Sequence, residues 1–174
     1  MEKTATSVNV LKSNLADVKG NAVLVGFFKG KLNLSSELKK LDNESNSTIS
    51  SYMKDISFNG EKGETRTVYL NKKIKHLVLV GLGEESKFNL EVLSSAMADL
   101  SRKLRDSSFE SFSILLSSFK GDLSEEDVVE KIVQSILLGT YKFTEYKTKD
   151  KDSLKHLKQV TIISGSNKNF DVQL

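Results

Sequence analysis

Several groups of residues in this chain have types and spacings that could do chemistry. Gly81-Leu82-Gly83 ends an apolar run and precedes a helical pattern. A glycine-rich turn with free amides ahead of a helix is one way that proteins hold phosphate. The dinucleotide fingerprint wants a third glycine where Ser86 stands, and no P-loop lysine follows. A tight turn needing positive φ accounts for both glycines without a ligand, and that reading takes precedence. His76 and His156 lie far apart, with no partner at metal-ligand or acid-base spacing. They are read as structural or solvated. Ser164-Gly165-Ser166 lacks the pattern of a nucleophile elbow and is loop chemistry. Glu125, Glu126 and Asp127 follow Ser124 at a helix start. There they complement the helix dipole, which makes a catalytic role unnecessary. Lys142, Lys147, Lys149, Lys151, Lys155 and Lys158 are interleaved with Tyr141, Phe143 and Tyr146. Basic residues with aromatics can bind a nucleic-acid backbone while stacking on bases. Glu145, Asp150 and Asp152 dilute that charge, and a solvated junction is the preferred reading.

These residues must be positioned by elements that the pattern also predicts. The run His76-Leu77-Val78-Leu79-Val80 reads as a fully buried strand. After a polar connection over Glu84–Phe88, Asn89 stands where an N-cap belongs. Leu90, Leu93, Ala96, Met97, Leu100 and Leu104 form one helical stripe ending near Asp106. Phe112–Leu116 is the next strand. A right-handed parallel pair, His76–Val80 with Phe112–Leu116, is therefore the expected centre of the fold.

The remaining elements follow in order. Thr6–Leu11 alternates as a half-buried strand, and Asn21–Phe28 reads as a strand buried on both faces. Leu32–Asn46 shows no clean period, and Glu44–Asp55 is read as a short helix turning Ile49, Tyr52, Met53 and Ile56 inward. Gly60 and Gly63 mark a loop. Glu64–Leu70 and the central strand are expected to pair as an antiparallel hairpin across Asn71-Lys72-Lys73. Val128, Val129, Ile132, Val133, Ile136 and Leu137 stripe a helix that begins at Ser124. Gln159–Ile163 is the last strand. The economical architecture is α/β: a three-layer sandwich with a mixed six-stranded sheet and helices on both faces.

The totals fit one ordinary domain. The chain has 174 residues, 38% hydrophobic and 28% charged, with net charge +3. That mild charge demands neither nucleic acid nor an anionic membrane as partner. Without cysteine there is no disulfide framework and no thiolate metal site, which is compatible with the cytoplasm. No signal pattern opens the chain, and no apolar run approaches the ~20 residues of a membrane span. Proline is absent, so helix stops must come from glycine, asparagine and charge.

A more specific pattern appears at Gly139-Thr140-Tyr141-Lys142-Phe143-Thr144-Glu145-Tyr146-Lys147. It resembles the junction segment of the leucyl aminopeptidase family of metallopeptidases. Phe28-Lys29-Gly30-Lys31-Leu32 resembles that family's early strand ending. Phe58-Asn59-Gly60-Glu61-Lys62-Gly63-Glu64-Thr65 resembles its Phe-x-Gly-x-x-Gly-Glu loop, and Val78–Gly83 its central strand and turn. The likeness runs in order from about Val8 to Ile163. It implies an amino-terminal α/β domain similar to the macro domain, over residues 1–164, with residues 165–174 opening an interdomain linker. In the family, a second domain carries two divalent metals (zinc or manganese), a catalytic lysine and arginine, and the run Asn-Thr-Asp-Ala-Glu-Gly-Arg-Leu. That run is absent here. The resemblance therefore assigns no catalytic, cofactor-binding or metal residue to any position of this chain. It implies a cytoplasmic enzyme that removes N-terminal residues from peptides. This domain would be its non-catalytic part and would help to build a hexamer with its own catalytic domain. Some bacterial members also bind DNA. The macro-like fold raises a rival, ADP-ribose or nucleotide binding near Gly81–Gly83.

Overall fold

Apolar residues run almost without interruption through residues 22–28 and 77–82, and strands of that composition need cover on both faces. A computed structural model describes residues 6–18, 22–105, 107, 109–140 and 157–166. Its strands are β1 (Ser7–Lys12), β2 (Ala22–Phe28), β3 (Thr65–Tyr69), β4 (His76–Gly83), β5 (Ser111–Leu115) and β6 (Gln159–Ser164). Its helices are α1 (Ser36–Glu44), α2 (Thr48–Asp55), α3 (Leu90–Arg105) and α4 (Glu125–Thr140). The sheet order is β1-β6-β5-β2-β4-β3. Among the strand pairings of the described residues, β3–β4 alone is antiparallel, which makes the sheet mixed and bears out the expected hairpin.

The period-two alternation of each strand divides the side chains between two cores. Ala22, Leu24, Val78, Val80, Ile114 and Ile162 enter one core with α3 and α4. Val23, Val25, Phe27, Leu77, Leu79 and Ile163 enter the other with α1 and α2. Each fully buried Leu, Ile or Val contributes roughly 1.5–3 kcal/mol over its exposed state. Within the first core, α3 and α4 approach closely. A Cβ on Gly139 would sit 3.0 Å from the Ala98 carbonyl oxygen. The hydroxyls of Ser94 and Ser135 are 2.8 Å apart between the same helices.

The caps expected at two helix starts are present. Asn89 Oδ1 accepts from the amides of Glu91 and Val92, both at 3.0 Å. Ser124 Oγ accepts from the Asp127 amide at 3.2 Å.

Two expectations are corrected. The parallel strands β4 and β5 are not neighbours, because β2 lies between them and pairs with both. The helix crossing from β4 to β5 skips one strand, so β2 and β5 rather than β4 occupy the sheet centre. The helix expected over Glu44–Asp55 is present as α2, starting at Thr48, and a second helix that was not expected, α1, precedes it. α1 occupies the stretch that lacked a period, because its inward face holds Leu38, Leu41 and the polar Asp42. The break between the helices places Asn46 and Ser47 at φ 54° and 57°. Asp42 explains why the break is stable. It is only 6% exposed, and its Oδ1 accepts from the amides of Ile49 at 2.8 Å and Ser50 at 3.1 Å. A residue of α1 thus caps α2.

Replacing Asp42 with Ala is expected to lower unfolding free energy by about 1–2 kcal/mol in urea titration, with an unchanged m-value.

Candidate functional site

In open α/β sheets, ligands bind outside the carboxyl ends of the strands. Here that region joins the ends of β2 and β4 to residues 58–64 and 84–88. The expected tight turn at Gly81–Gly83 is not one, since β4 continues to Gly83 and pairs Gly81 with Phe27 and Gly83 with Phe28. Gly83 has the positive φ, 78°. Gly81 is glycine for a different reason. A Cβ there would lie 2.0 Å from the Glu61 carbonyl oxygen and 2.8 Å from the Gly60 carbonyl carbon. Close backbone approach, not turn geometry, excludes a side chain.

That approach consumes the groups that a phosphate would need. The Gly81 amide donates to Glu64 O at 2.7 Å, and the Gly83 amide to Gly60 O at 2.9 Å. In return, the Gly63 amide reaches Gly81 O at 3.3 Å, and the Lys29 amide reaches Gly83 O at 2.9 Å. The 58–64 loop is itself held by Glu64 Oε2, which accepts from the amides of Asn59 at 3.3 Å and Glu61 at 3.2 Å. Gly60 sits at φ 74°, where a Cβ would meet the Phe28 carbonyl oxygen at 2.8 Å.

Side chains add a second layer of closure. Phe28 and Phe88 meet edge to face with centroids 5.0 Å apart, and a Cβ on Gly121 would be 3.2 Å from each ring. Lys29 pairs with Glu61 at 2.8 Å, Lys31 with Glu85, and Lys87 with Glu84 at 2.8 Å. The hydrogen bond and charge of Glu61 raise the pKa of Lys29, and those of Glu85 raise that of Lys31. The hydrogen bond and charge of Lys87 lower that of Glu84. The Lys29–Glu61 and Lys31–Glu85 pairs join separate loops and carry no spacing signal in the sequence, whereas Glu84 and Lys87 are three residues apart.

The other candidates are scattered. His76 is half-buried and stacks edge to face on Tyr69 and Phe109, with centroids 5.0 and 4.9 Å away. His156 lies outside the described residues, as do the Tyr141–Lys147 junction and the tail from residue 167. Of the six lysines weighed for nucleic acid, only Lys158 is described, and it pairs with Glu110 at 2.8 Å. Glu125, Glu126 and Asp127 occupy the first turn of α4 as expected, and Glu125 Oε2 is a buried oxygen without a hydrogen bond. Ser164 Oγ is 3.0 Å from Ser166 Oγ. Among the described residues, no group of three or more His, Cys, Asp or Glu could hold a metal ion. They do not fit the two divalent metals that the resemblance implies for the parent. Among the described residues, no helix is long and apolar enough to cross a membrane.

Comparison with known proteins agrees with the topology. The sequence profile described as the cytosol aminopeptidase family, N-terminal domain, matches residues 24–150. A probable cytosol aminopeptidase of Sulfurihydrogenibium sp. is 29% identical over 166 residues, covering 94% of this chain and 32% of the relative. The chain thus spans about a third of the length of the curated relatives it matches. A mutant of tomato leucine aminopeptidase superposes with TM-score 0.78 at 18% identity, over 97% of this chain and 35% of that one. The macrodomain of Mycobacterium tuberculosis DarG gives TM-score 0.65 at 14% identity, over 92% and 99%. At these identities the structures establish the fold: an α/β domain shared by macrodomains and the leading part of a leucine aminopeptidase.

Gly81→Ala is expected to destabilise the chain by about 2–4 kcal/mol, because the clash is with backbone. Gly165→Ala, with nothing within 4 Å, should change stability by less than about 0.5 kcal/mol. Urea titration of both variants checks this. The ion pairs set a pH window. Glu84, with its folded pKa lowered, adds stability above its ordinary 4.5 that is lost as pH falls through the folded value. Lys29 and Lys31, with folded values raised, add stability below their ordinary 10.5 that is lost as pH rises through the folded values. Melting temperature in low salt should therefore be highest between these limits. The pairs are solvent-exposed, so added salt should shrink their share.

Proposed function

The chain belongs to the cytosol aminopeptidase family, and from that premise we propose that it is the non-catalytic amino-terminal domain of a metal-dependent leucyl aminopeptidase. The parent enzyme is a cytoplasmic metallopeptidase that removes N-terminal amino acids from peptides. Two divalent metals, zinc or manganese, work in a catalytic domain beyond the residues of this chain. The present domain assembles and supports a homo-hexamer and meets peptide only through that other domain.

One observation carries the reading of the domain as a scaffold. The strand ends of β2 and β4, where a macro-like fold would offer amides to a ligand, are closed by their own backbone. Glu64 O and Gly60 O take the Gly81 and Gly83 amides, and Phe28 packs on Phe88 over Gly121. The length ratio is also in keeping with one domain of a larger enzyme.

The second reading, a module for ADP-ribose or a nucleotide, has the superposition on the DarG macrodomain in its favour. Fold likeness alone is a weak warrant for a ligand, and the occupied amides count against it. Two measurements separate the readings. The purified 174-residue chain should release no leucine from a leucyl anilide, with or without manganese, and metal-dependent turnover would refute the scaffold. Calorimetry with ADP-ribose should show no saturable heat near micromolar ligand, and a saturating isotherm there would establish the rival.

A further inference from the structure

Away from the strand ends, a cleft of about 520 Å³ runs along α1 between residues 14–16 and residues 72–74. That volume lies in the range of small-molecule sites and is too small for a folded partner. Its walls are tied together, since Lys73 Nζ donates to the Ala16 carbonyl at 3.1 Å. Leu15, Leu41 and Ile74, all buried, line it and provide its apolar floor. Five charged side chains line the cleft: Glu37, Lys40 and Glu44 from α1, and Lys72 and Lys73 from the β3–β4 turn.

Lys73 is held by the Ala16 carbonyl, and the other four make no ion pair or side-chain hydrogen bond with any described residue. The contrast with the strand-end loops is plain, where Lys29, Lys31 and Lys87 all have carboxylate partners. Two unpaired cations and two unpaired anions select for the charge of an occupant. A pure anion would face Glu37 and Glu44, and a pure cation would face Lys40, Lys72 and the Lys73 ammonium. A ligand carrying both signs meets each with its opposite and leaves no like-charge contact. An apolar body between its charges would cover the Leu15–Leu41–Ile74 floor.

We propose that this cleft binds a small zwitterion with an apolar body, of the class of an α-amino acid or dipeptide with an aliphatic side chain. The site is separate from the strand ends and does not depend on the scaffold reading above. Exposed charge pairs contribute little each, so affinity should be modest, with Kd in the millimolar range.

The test is a titration of the full 174-residue chain followed by amide chemical-shift mapping. L-leucine and leucyl-leucine serve as the two zwitterionic probes, and N-acetyl-leucine amide as the uncharged control. Saturable shifts centred on Leu15, Leu41 and Ile74 with either zwitterion are expected, and little response to the control. The tighter of the two zwitterions identifies the source as free amino acid or peptide. Lys72→Ala and Glu37→Gln, whose spectra report whether the fold is kept, should each weaken binding about threefold or more. The proposal is overturned by no saturation up to about 50 mM, some fiftyfold above a Kd of about 1 mM. Equal binding of the uncharged control, or unchanged affinity in both variants, would overturn it as well.

Discussion

Everything in this domain answers to a strand that cannot face water. β2 is buried on both sides from Ala22 to Phe27. Its even residues need one helical layer and its odd residues another. The α3–α4 pair supplies the first and α1–α2 the second. The two layers are built differently. α3 and α4 are long, striped and packed through small residues at Ala98, Ser101 and Gly139. α1 and α2 are short, and depend on Asp42 to join them.

The second demand of a parallel sheet is what to do with the carboxyl ends of its strands, where amides and carbonyls emerge unpaired. Many α/β folds leave this edge open and use it for ligands. This chain closes it. The 58–64 loop lies so close to β4 that Gly81 has no room for a methyl group, and three backbone hydrogen bonds join it to β4, with a fourth from Lys29 to Gly83 O. Buried backbone groups are satisfied by this arrangement, which holds the strand end in place. The β4 amides at Gly81 and Gly83 are thereby spent on the chain's own carbonyls rather than left for a ligand. This agrees with the general rule that function lives in sites placed on folds.

Much of the fold was legible in the residues. The six strands, the long helices with Asn89 and Ser124 at their starts, and the β3–β4 hairpin all follow from hydrophobic period and capping chemistry. α1 was not legible, because a helix whose inward face includes a buried Asp does not present a clean apolar stripe. The reason for Gly81 was not legible either. A glycine at a strand end reads as a turn unless the approaching backbone is known, and that backbone comes from Gly60 and Glu61.

Local pattern, then, determined the family likeness and, α1 apart, the main element types and their order, since each depends on residues close in sequence. The tertiary structure alone decided that β2 separates β4 from β5 and that the β4 amides are spent on residues 60 and 64. It also decided that, among the described residues, four charges around α1 have no ion pair while Lys29, Lys31 and Lys87 at the strand ends have one. Each of these is a contact between distant segments, and no periodicity encodes which distant segment will arrive.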